Sequence, residues 1–328
     1  INIYELYMKT EVNFLSMMKN ERISFVIPCY NSELTIESVV DEINIRMNDL
    51  GYKEYEIILV NDSSKDNTYS VICRLCEKNK NIKGINLARN FGQHSALLAG
   101  FHYVDGDYII CLDDDGQMPI ESIGNMIEKF EEGYDVVSGL YKNVHQNLIR
   151  RMGSRFNSYM CEILINKPHD IVLNSFWGAR RFVIDEMVKY QGAYPYIAGL
   201  LLRTTNNICN IEVEHRDRTV GESGYSFFKL IKLWMNGFTA FSEKPLRFAS
   251  FCGLFCSVIG LFFAIFTVIR KILNPAILTG YSSLIAVILF IGGIIMMLLG
   301  MLGEYIGRMY ICMNQAPQYV IRDMKNIE

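Results

Sequence analysis

Short apolar runs alternate along this chain with stretches patterned as helices. The order is an apolar run over 23–27 ended by Pro28, a helical stretch 32–50, a second run 55–60, a polar turn 61–66 and a helix 68–79. A short strand 82–87, a helix 95–104 and a buried run 108–112 follow. Near-continuous hydrophobic runs bounded by turns read as strands covered on both faces. Four of them alternating with helices predict an α/β domain with a largely parallel sheet. In such sheets ligands collect at the carboxyl ends of the strands. Those ends are polar here: Pro28, Tyr30 and Asn31 after the first, Asn61, Asp62 and Asp66 after the second, and Asp113, Asp114, Asp115 and Gln117 after the fourth.

Beyond Leu246 the pattern changes to two long uncharged runs, 248–269 and 282–303, within expected helices 248–270 and 281–304, each close to the roughly 20 residues that cross a bilayer core. They predict two transmembrane helices joined by a short connection with Arg270, Lys271, Asn274, Pro275 and Gly280. Lys229, Lys232, Lys244, Arg247 and Arg308 lie on the side of the main domain, which the positive-inside tendency places in the cytoplasm. The expected division is therefore an N-terminal tail (1–21) without signal-peptide order, a catalytic domain (22–225), juxtamembrane amphipathic helices (226–247), the two spans, and a cytoplasmic C-terminal tail (305–328).

Half of the 328 residues are hydrophobic, enough for a substantial core, and the net charge of −3 offers no global reason to expect nucleic acid. The nine cysteines have no disulfide spacing, and the one Cys-x-x-Cys, Cys73 with Cys76, sits in a helical context without a second pair. His94, His102, His145, His169 and His215 are too scattered for a metal cluster, and Trp177 and Trp234 read as packing residues.

The strongest chemical signal is Cys111-Leu-Asp-Asp-Asp-Gly-Gln-Met-Pro119, an acidic cluster directly after a buried strand. If the strand geometry continues, Asp113 and Asp115 point one way and Asp114 the other. Hard oxygen ligands suit Mg²⁺ or Mn²⁺, which take one or two protein carboxylates and complete their shells with substrate phosphate oxygens.

The set Pro28-Cys-Tyr-Asn31, Asn61-Asp-Ser-Ser-Lys-Asp-Asn-Thr68, Leu87-Ala-Arg-Asn-Phe-Gly92 and Asp113-Asp-Asp-Gly-Gln117 resembles, in order, the family 2 inverting glycosyltransferases. More narrowly, Gly221-Glu-Ser-Gly-Tyr-Ser226, Phe238-Thr-Ala-Phe-Ser-Glu-Lys-Pro-Leu-Arg247 and two spans resemble the branch that charges polyprenyl phosphates, which includes dolichol-phosphate mannose synthase and bacterial undecaprenyl-phosphate glycosyltransferases. The resemblance covers residues 23–322 and implies a GT-A nucleotide-sugar-binding domain with a mixed, mostly parallel sheet. It implies that Asp113, Asp115 and Gln117 hold Mg²⁺ or Mn²⁺. Pro28, Tyr30, Asp62, Asp113, Asp114, Asp115 and Arg218 would bind the nucleotide sugar, with Asp62 at the base. Asp115 and Arg218 would carry the catalysis. Where many relatives have an acid after the Asn of the first motif, this chain has Ser32 and then Glu33. Where some carry a Lys near Gly221, it has Glu222 and Gly224, which puts more of the leaving-group charge on Arg218.

A phosphate monoester has a second pKa of about 6, so a lipid phosphate attacks as a dianion without a strong base and needs a cationic cradle. Arg151 and Arg155, beside Arg150, share a helix face and offer guanidinium forks, with Ser223 as a further phosphate contact; Arg180 and Arg181 match less well. The partners implied are a nucleotide diphosphate sugar, with UDP-glucose the first choice, polyprenyl phosphate and the bacterial plasma membrane. Small residues Gly292, Gly293, Gly300 and Gly303, and a 308–322 segment that in relatives embraces a neighbour, point to a homo-oligomer, a tetramer by resemblance. A processive polysaccharide synthase would carry a Gln-x-x-Arg-Trp motif, which is missing before both tryptophans, and a non-catalytic scaffold on the same fold would have lost the acidic cluster.

Overall fold

The computed structural model describes residues 21–142, 161–162, 167–214, 244–274, 281–314 and 316–327. Among them the strands are β1 (Ile23–Cys29), β2 (Tyr55–Asn61), β3 (Ile82–Leu87), β4 (Tyr108–Cys111), β5 (Val136–Lys142), β6 (Trp177–Arg180), β7 (Ile208–Glu214) and β8 (Ile321–Lys325). The α-helices are α1 (Ile36–Leu50), α2 (Thr68–Lys78), α3 (Gln93–Phe101), α4 (Ile123–Glu131), α5 (Arg181–Met187), α6 (Ile197–Thr204), α7 (Lys244–Leu273) and α8 (Tyr281–Met313). All eight strands form one sheet in the order β7-β5-β6-β4-β1-β2-β3-β8. Pairs β1–β2, β1–β4, β2–β3 and β5–β7 are parallel; β3–β8, β4–β6 and β5–β6 are antiparallel.

Both faces of the sheet are covered, and the strand sequences show why. Successive residues of β1 and β2 divide between two cores: Phe25, Ile27, Ile57 and Leu59 pack with α1, α2 and α4, whereas Val26, Ile58 and Val60 pack with α3, α5 and α6. Helix α1 buries Ile36, Val39, Val40, Ile43 and Met47 and ends at Gly51, whose φ of 75° lets its N–H reach the carbonyls of Asn48 and Met47. Helix α3 is buried along almost its whole length and approaches the sheet closely at Gly100, where a Cβ would stand 2.5 Å from Val26 Cγ1.

The chain runs outward through β1, β2 and β3 and then returns to place β4 on the other side of β1. The ends of β1 and β4 therefore flank a topological switch point, where the loops diverge and leave a crevice. The opposite edge, where β1 and β2 begin, is closed by Glu56. Its buried carboxylate accepts from Ser24 Oγ (2.6 Å), the Asp105 N–H (2.6 Å) and Arg22 Nη2 (3.2 Å), and pairs with Lys83 Nζ at 2.8 Å.

Several expectations from the sequence need correction. Helix α1 starts at Ile36 rather than 32, because residues 32–35 form a turn in which the Ile36 and Thr35 N–H groups bond the Ser32 carbonyl. Helix α3 starts and ends two to three residues earlier than its pattern. The C-terminal stretch is not simply a tail, since α8 continues to Met313 and β8 then completes the sheet edge beside β3. Of the two predicted spans, the second overlaps a helical stretch, Phe290–Met313, that among the described residues is long and apolar enough to cross a membrane, and the first falls within α7.

Candidate active site

The loops that follow β1, β2, β3 and β4 meet at this edge of the sheet. After β4, Asp113, Asp114 and Asp115 part company because the chain turns at Gly116, whose φ is 73°. Asp113 accepts a hydrogen bond from Gln93 Nε2 (2.7 Å) and is held by Ser175 as well. Burial, with the charges of Asp115 and Asp114 adding to it, pushes its carboxyl up to about 6 despite those bonds. Asp114 turns across the crevice: its Oδ2 accepts the Tyr30 N–H (2.9 Å) and its carbonyl accepts from Thr35 Oγ1 (2.6 Å), while burial again raises its pKa. Asp115 Oδ1 accepts the Gln117 N–H at 3.0 Å, which folds the turn onto itself. Tyr141 of β5 lies close enough for Asp113 and Asp115 to add to the burial that raises its hydroxyl to about 12.

The loop after β1 is built by the loop after β2. Asn31 adopts a left-handed conformation (φ 55°), which its short polar side chain tolerates; its N–H donates to Ser64 Oγ (3.0 Å) and its Oδ1 accepts the Lys65 N–H (3.0 Å). Ser32 N–H donates to Thr68 Oγ1 (2.8 Å), and Glu33 Oε2 accepts the Asn67 N–H (2.9 Å). Glu33, the departure from the family pattern, thus ties the two loops together. Asp66 answers by accepting the Glu33 N–H (3.2 Å); although burial opposes it, bonds from Thr68 and Glu33 hold its carboxyl below the usual range.

Asp62, just after β2, organises the loop that follows β3. Its carboxylate accepts the N–H groups of Phe91 (2.7 Å) and Gly92 (2.8 Å), one on each oxygen, and Asn90 Nδ2 donates to its carbonyl (3.3 Å). Burial outweighs the two N–H bonds and raises its pKa. Pro28 is buried inside β1, paired with Val60, whereas Tyr30 stands 46% exposed at the mouth of the crevice. Arg151, Arg155, Arg218 and Ser223 lie outside the described residues.

Other residues weighed from the sequence lie apart from this centre. Arg180 donates to the carbonyls of Tyr134 and Phe130 and sits over the Tyr108 ring, at the opposite end of β4 from the aspartates. Arg181 bonds Asp185 and the Val104 carbonyl. Trp177 packs edge-on against Phe101, and burial lowers His94 to about 4 beside Tyr196. Gln93, Ser175 and Tyr141 are site residues that sequence reasoning missed. Gln93 directly follows the Leu87–Gly92 motif and could have been read with it; Ser175, in the bend before β6, and Tyr141, in β5, come from segments that left no clear periodic signal.

Among the described residues no group of three His, Cys, Asp or Glu side chains forms a self-sufficient metal cage. The donors nonetheless fit Mg²⁺ or Mn²⁺, which need only one or two carboxylates when phosphate oxygens supply the rest. Burial, with the Asp115 and Asp114 charges adding to it, makes the Asp113 carboxylate one that a neighbouring cation would stabilise.

A doubly covered α/β sheet with a crevice at its switch point is the arrangement in which open α/β folds place a ligand, and the acidic turn there suits a divalent cation. Residues 24–188 match the family model of glycosyl transferase family 2, and residues 244–309 match the GtrB C-terminal hairpin. The chain is 34% identical to an uncharacterized glycosyltransferase, YkcC, of Bacillus subtilis, over 95% of this chain and 97% of that one. It is 32% identical to the undecaprenyl-phosphate 4-deoxy-4-formamido-L-arabinose transferase of Shewanella sediminis, over 94% and 95% of the two chains. Among solved structures, glucosyl-3-phosphoglycerate synthase of Mycobacterium tuberculosis, in complex with Mn²⁺ and UDP-glucose, superposes with a TM-score of 0.51 at 18% identity, covering 74% of this chain and 83% of that one, and so shares the fold. The chain belongs to glycosyl transferase family 2. It is a glycosyltransferase, and its C-terminal part is that of the members carrying the GtrB hairpin.

Proposed function

We propose that this enzyme transfers a hexose, with inversion and metal dependence, from a UDP-sugar to undecaprenyl phosphate at the cytoplasmic face of the plasma membrane. The observation that carries the reading is the pairing, across one crevice, of the Asp113–Asp115 acidic turn with the β1 and β2 loops. Displacing a nucleoside diphosphate builds negative charge on the leaving group, and a divalent cation on Asp113 and Asp115, with Gln117 nearby, would supply the neutralisation there. Asp62 orients the Phe91–Gly92 amides, Asp114 fixes the Tyr30 backbone, and Arg218 adds positive charge at the diphosphate. Arg151, Arg155 and Ser223 receive the lipid phosphate, which attacks as a dianion. For the sugar, the Shewanella sediminis relative favours a second reading, a 4-deoxy-4-formamido-L-arabinose.

Membrane attachment through two crossings is supported by connectivity. Strands β1–β7 precede α7 and β8 follows α8, yet all lie in one sheet. The chain between β7 and β8 must therefore cross a bilayer an even number of times. If the apolar stretch of α8 crosses once, α7 supplies the return: its 30 residues would span about 45 Å, and its Phe251, Phe255 and Phe262 are exposed. The test is transfer of radiolabelled sugar to polyprenyl phosphate by wild type and Asp115→Asn, with and without Mn²⁺. Loss of transfer by more than about a hundredfold is expected; undiminished, metal-independent transfer would sink the reading.

A further inference from the structure

We propose that Asp323, on the edge strand that follows the membrane hairpin, is a positioning residue for the loops that hold the donor nucleotide. Three polar residues stand side by side across three strands, Asn61 of β2 opposite Asn86 of β3 opposite Asp323 of β8. Asn86 Nδ2 donates to Asp323 Oδ2 (3.3 Å), and Tyr69 donates its hydroxyl to Asp323 Oδ1. Asn61 Nδ2 donates to Asn86 Oδ1 (2.8 Å). Asn61 Oδ1 then accepts both the N–H (3.2 Å) and the Oγ hydroxyl (2.6 Å) of Ser64, whose oxygen accepts the Asn31 N–H (3.0 Å). The relay ends beside Tyr30, the residue bonded to Asp114, and beside Asp62.

Asp323 holds the direction of this relay at its β8 end, as the Ser64 N–H, which can only donate, holds it at the other. An amide side chain has a donor end and an acceptor end, and a buried pair of amides can in principle face either way. An ionised carboxylate only accepts. Asp323 therefore fixes the donor end of Asn86 toward β8 and its oxygen toward Asn61, in step with the acceptor that Asn61 turns to the Ser64 N–H, which leaves the Ser64 oxygen for Asn31. Asn61 and Asn86 are 3% and 8% exposed, so water offers little substitute for a misdirected amide. The strand carrying Asp323 is docked independently of it. Ala88 N–H donates to the Val320 carbonyl (2.8 Å), Gln318 Nε2 to the carbonyls of Tyr190 (2.5 Å) and Gly192 (2.8 Å), and Asn326 Nδ2 to those of Cys76 (2.7 Å) and Ile82 (2.8 Å). The membrane hairpin and the nucleotide loops are thus joined through one short strand.

The inference rests on the reading that these loops bind the donor nucleotide, so the test uses two readouts on the full chain in detergent. The first is UDP affinity with Mn²⁺ by calorimetry, alongside KM for donor and acceptor; the second is amide exchange at Asn31 and Ser64, which needs no nucleotide. Asp323→Ala is expected to weaken UDP and raise donor KM roughly three- to tenfold, the size of one mispaired hydrogen bond, with kcat and acceptor KM within about twofold. Asp323→Asn, whose amide can turn a donor as well as an acceptor toward Asn86, should recover both only in part, and Gln318→Ala, which loosens the strand without touching the relay, should leave them unchanged. Exchange at Asn31 and Ser64 should rise in Asp323→Ala, less in Asp323→Asn and not in Gln318→Ala. Wild-type affinity in Asp323→Ala, an equal effect of Gln318→Ala, or unchanged exchange would each overturn the inference. Failure of the wild type to bind UDP would refute the nucleotide reading instead, and amide exchange would then decide the relay by itself.

Discussion

Replacing Asp113 by asparagine preserves the side-chain shape and the acceptor facing Gln93 but removes a charge that the folded protein carries at a cost. Its carboxyl is pushed from 3.8 to about 6, first by burial and then by Asp115 and Asp114. At about 1.4 kcal/mol for each tenfold change in proton affinity, holding that charge in the metal-free protein costs about 3 kcal/mol above pH 6. The unfolded chain ionises at lower pH, so the penalty is absent below pH 3.8, reaches about half its size near pH 5 and is complete only above pH 6. Local relaxation reduces the gain, leaving Asp113→Asn more stable by about 1–3 kcal/mol at pH 8, or roughly 3–8 °C in melting temperature. Thermal unfolding in detergent without divalent ions, at pH 8, 5 and 4, checks this, and Mn²⁺ should then stabilise the wild type but not the variant. A variant no more stable than wild type at pH 8, or one whose advantage persists undiminished at pH 4, would refute the reasoning. The outcome bears on function, because a site that is unstable until a cation arrives is expected where binding rather than stability sets the residue.

Two further perturbations separate scaffold from chemistry. Glu56→Ala removes the acceptor shared by Ser24, Arg22, Lys83 and the Asp105 N–H; it should destabilise the protein by about 3–5 kcal/mol by leaving buried donors and charge unpaired, measured by urea unfolding, with donor KM within about twofold of wild type below the transition. Arg151→Ala should raise the KM for polyprenyl phosphate about tenfold, the loss of one charge-assisted pair, with little change in donor KM; an equal effect on both substrates would remove Arg151 from the acceptor site.

The part of the fold that lay open to sequence reading is the part made of local signals. Strands β1 to β4 are runs whose residues are nearly all buried, and β3 was placed residue for residue. The strands that escaped carry weaker patterns. β6 is four residues containing Gly178 and Arg180, and β7 alternates Ile, Val and Glu with polar residues. β8, with sequence Ile-Arg-Asp-Met-Lys, is polar because it is an edge strand with most side chains exposed, which is how natural edges avoid further pairing. Helix α3 shows little amphipathic pattern because it is buried nearly all round, so only its flanking motif could mark its start.

By itself the sequence determined the parallel half of the sheet, the edge where the polar strand ends gather and the acidic turn after β4. Those follow from hydrophobic periodicity and from carboxylates too costly to keep beside a buried strand without use. Only the tertiary structure decided how the acids divide: Asp113 is burdened by its neighbours, Asp114 is committed to the Tyr30 backbone, and Asp62 is engaged in holding the Phe91–Gly92 amides. It also decided that a strand about 240 residues downstream completes the edge beside β3 and reaches the β1 loop through two amides. Such contacts depend on strand order and register. These are set by packing between residues far apart in the chain, which no local pattern encodes.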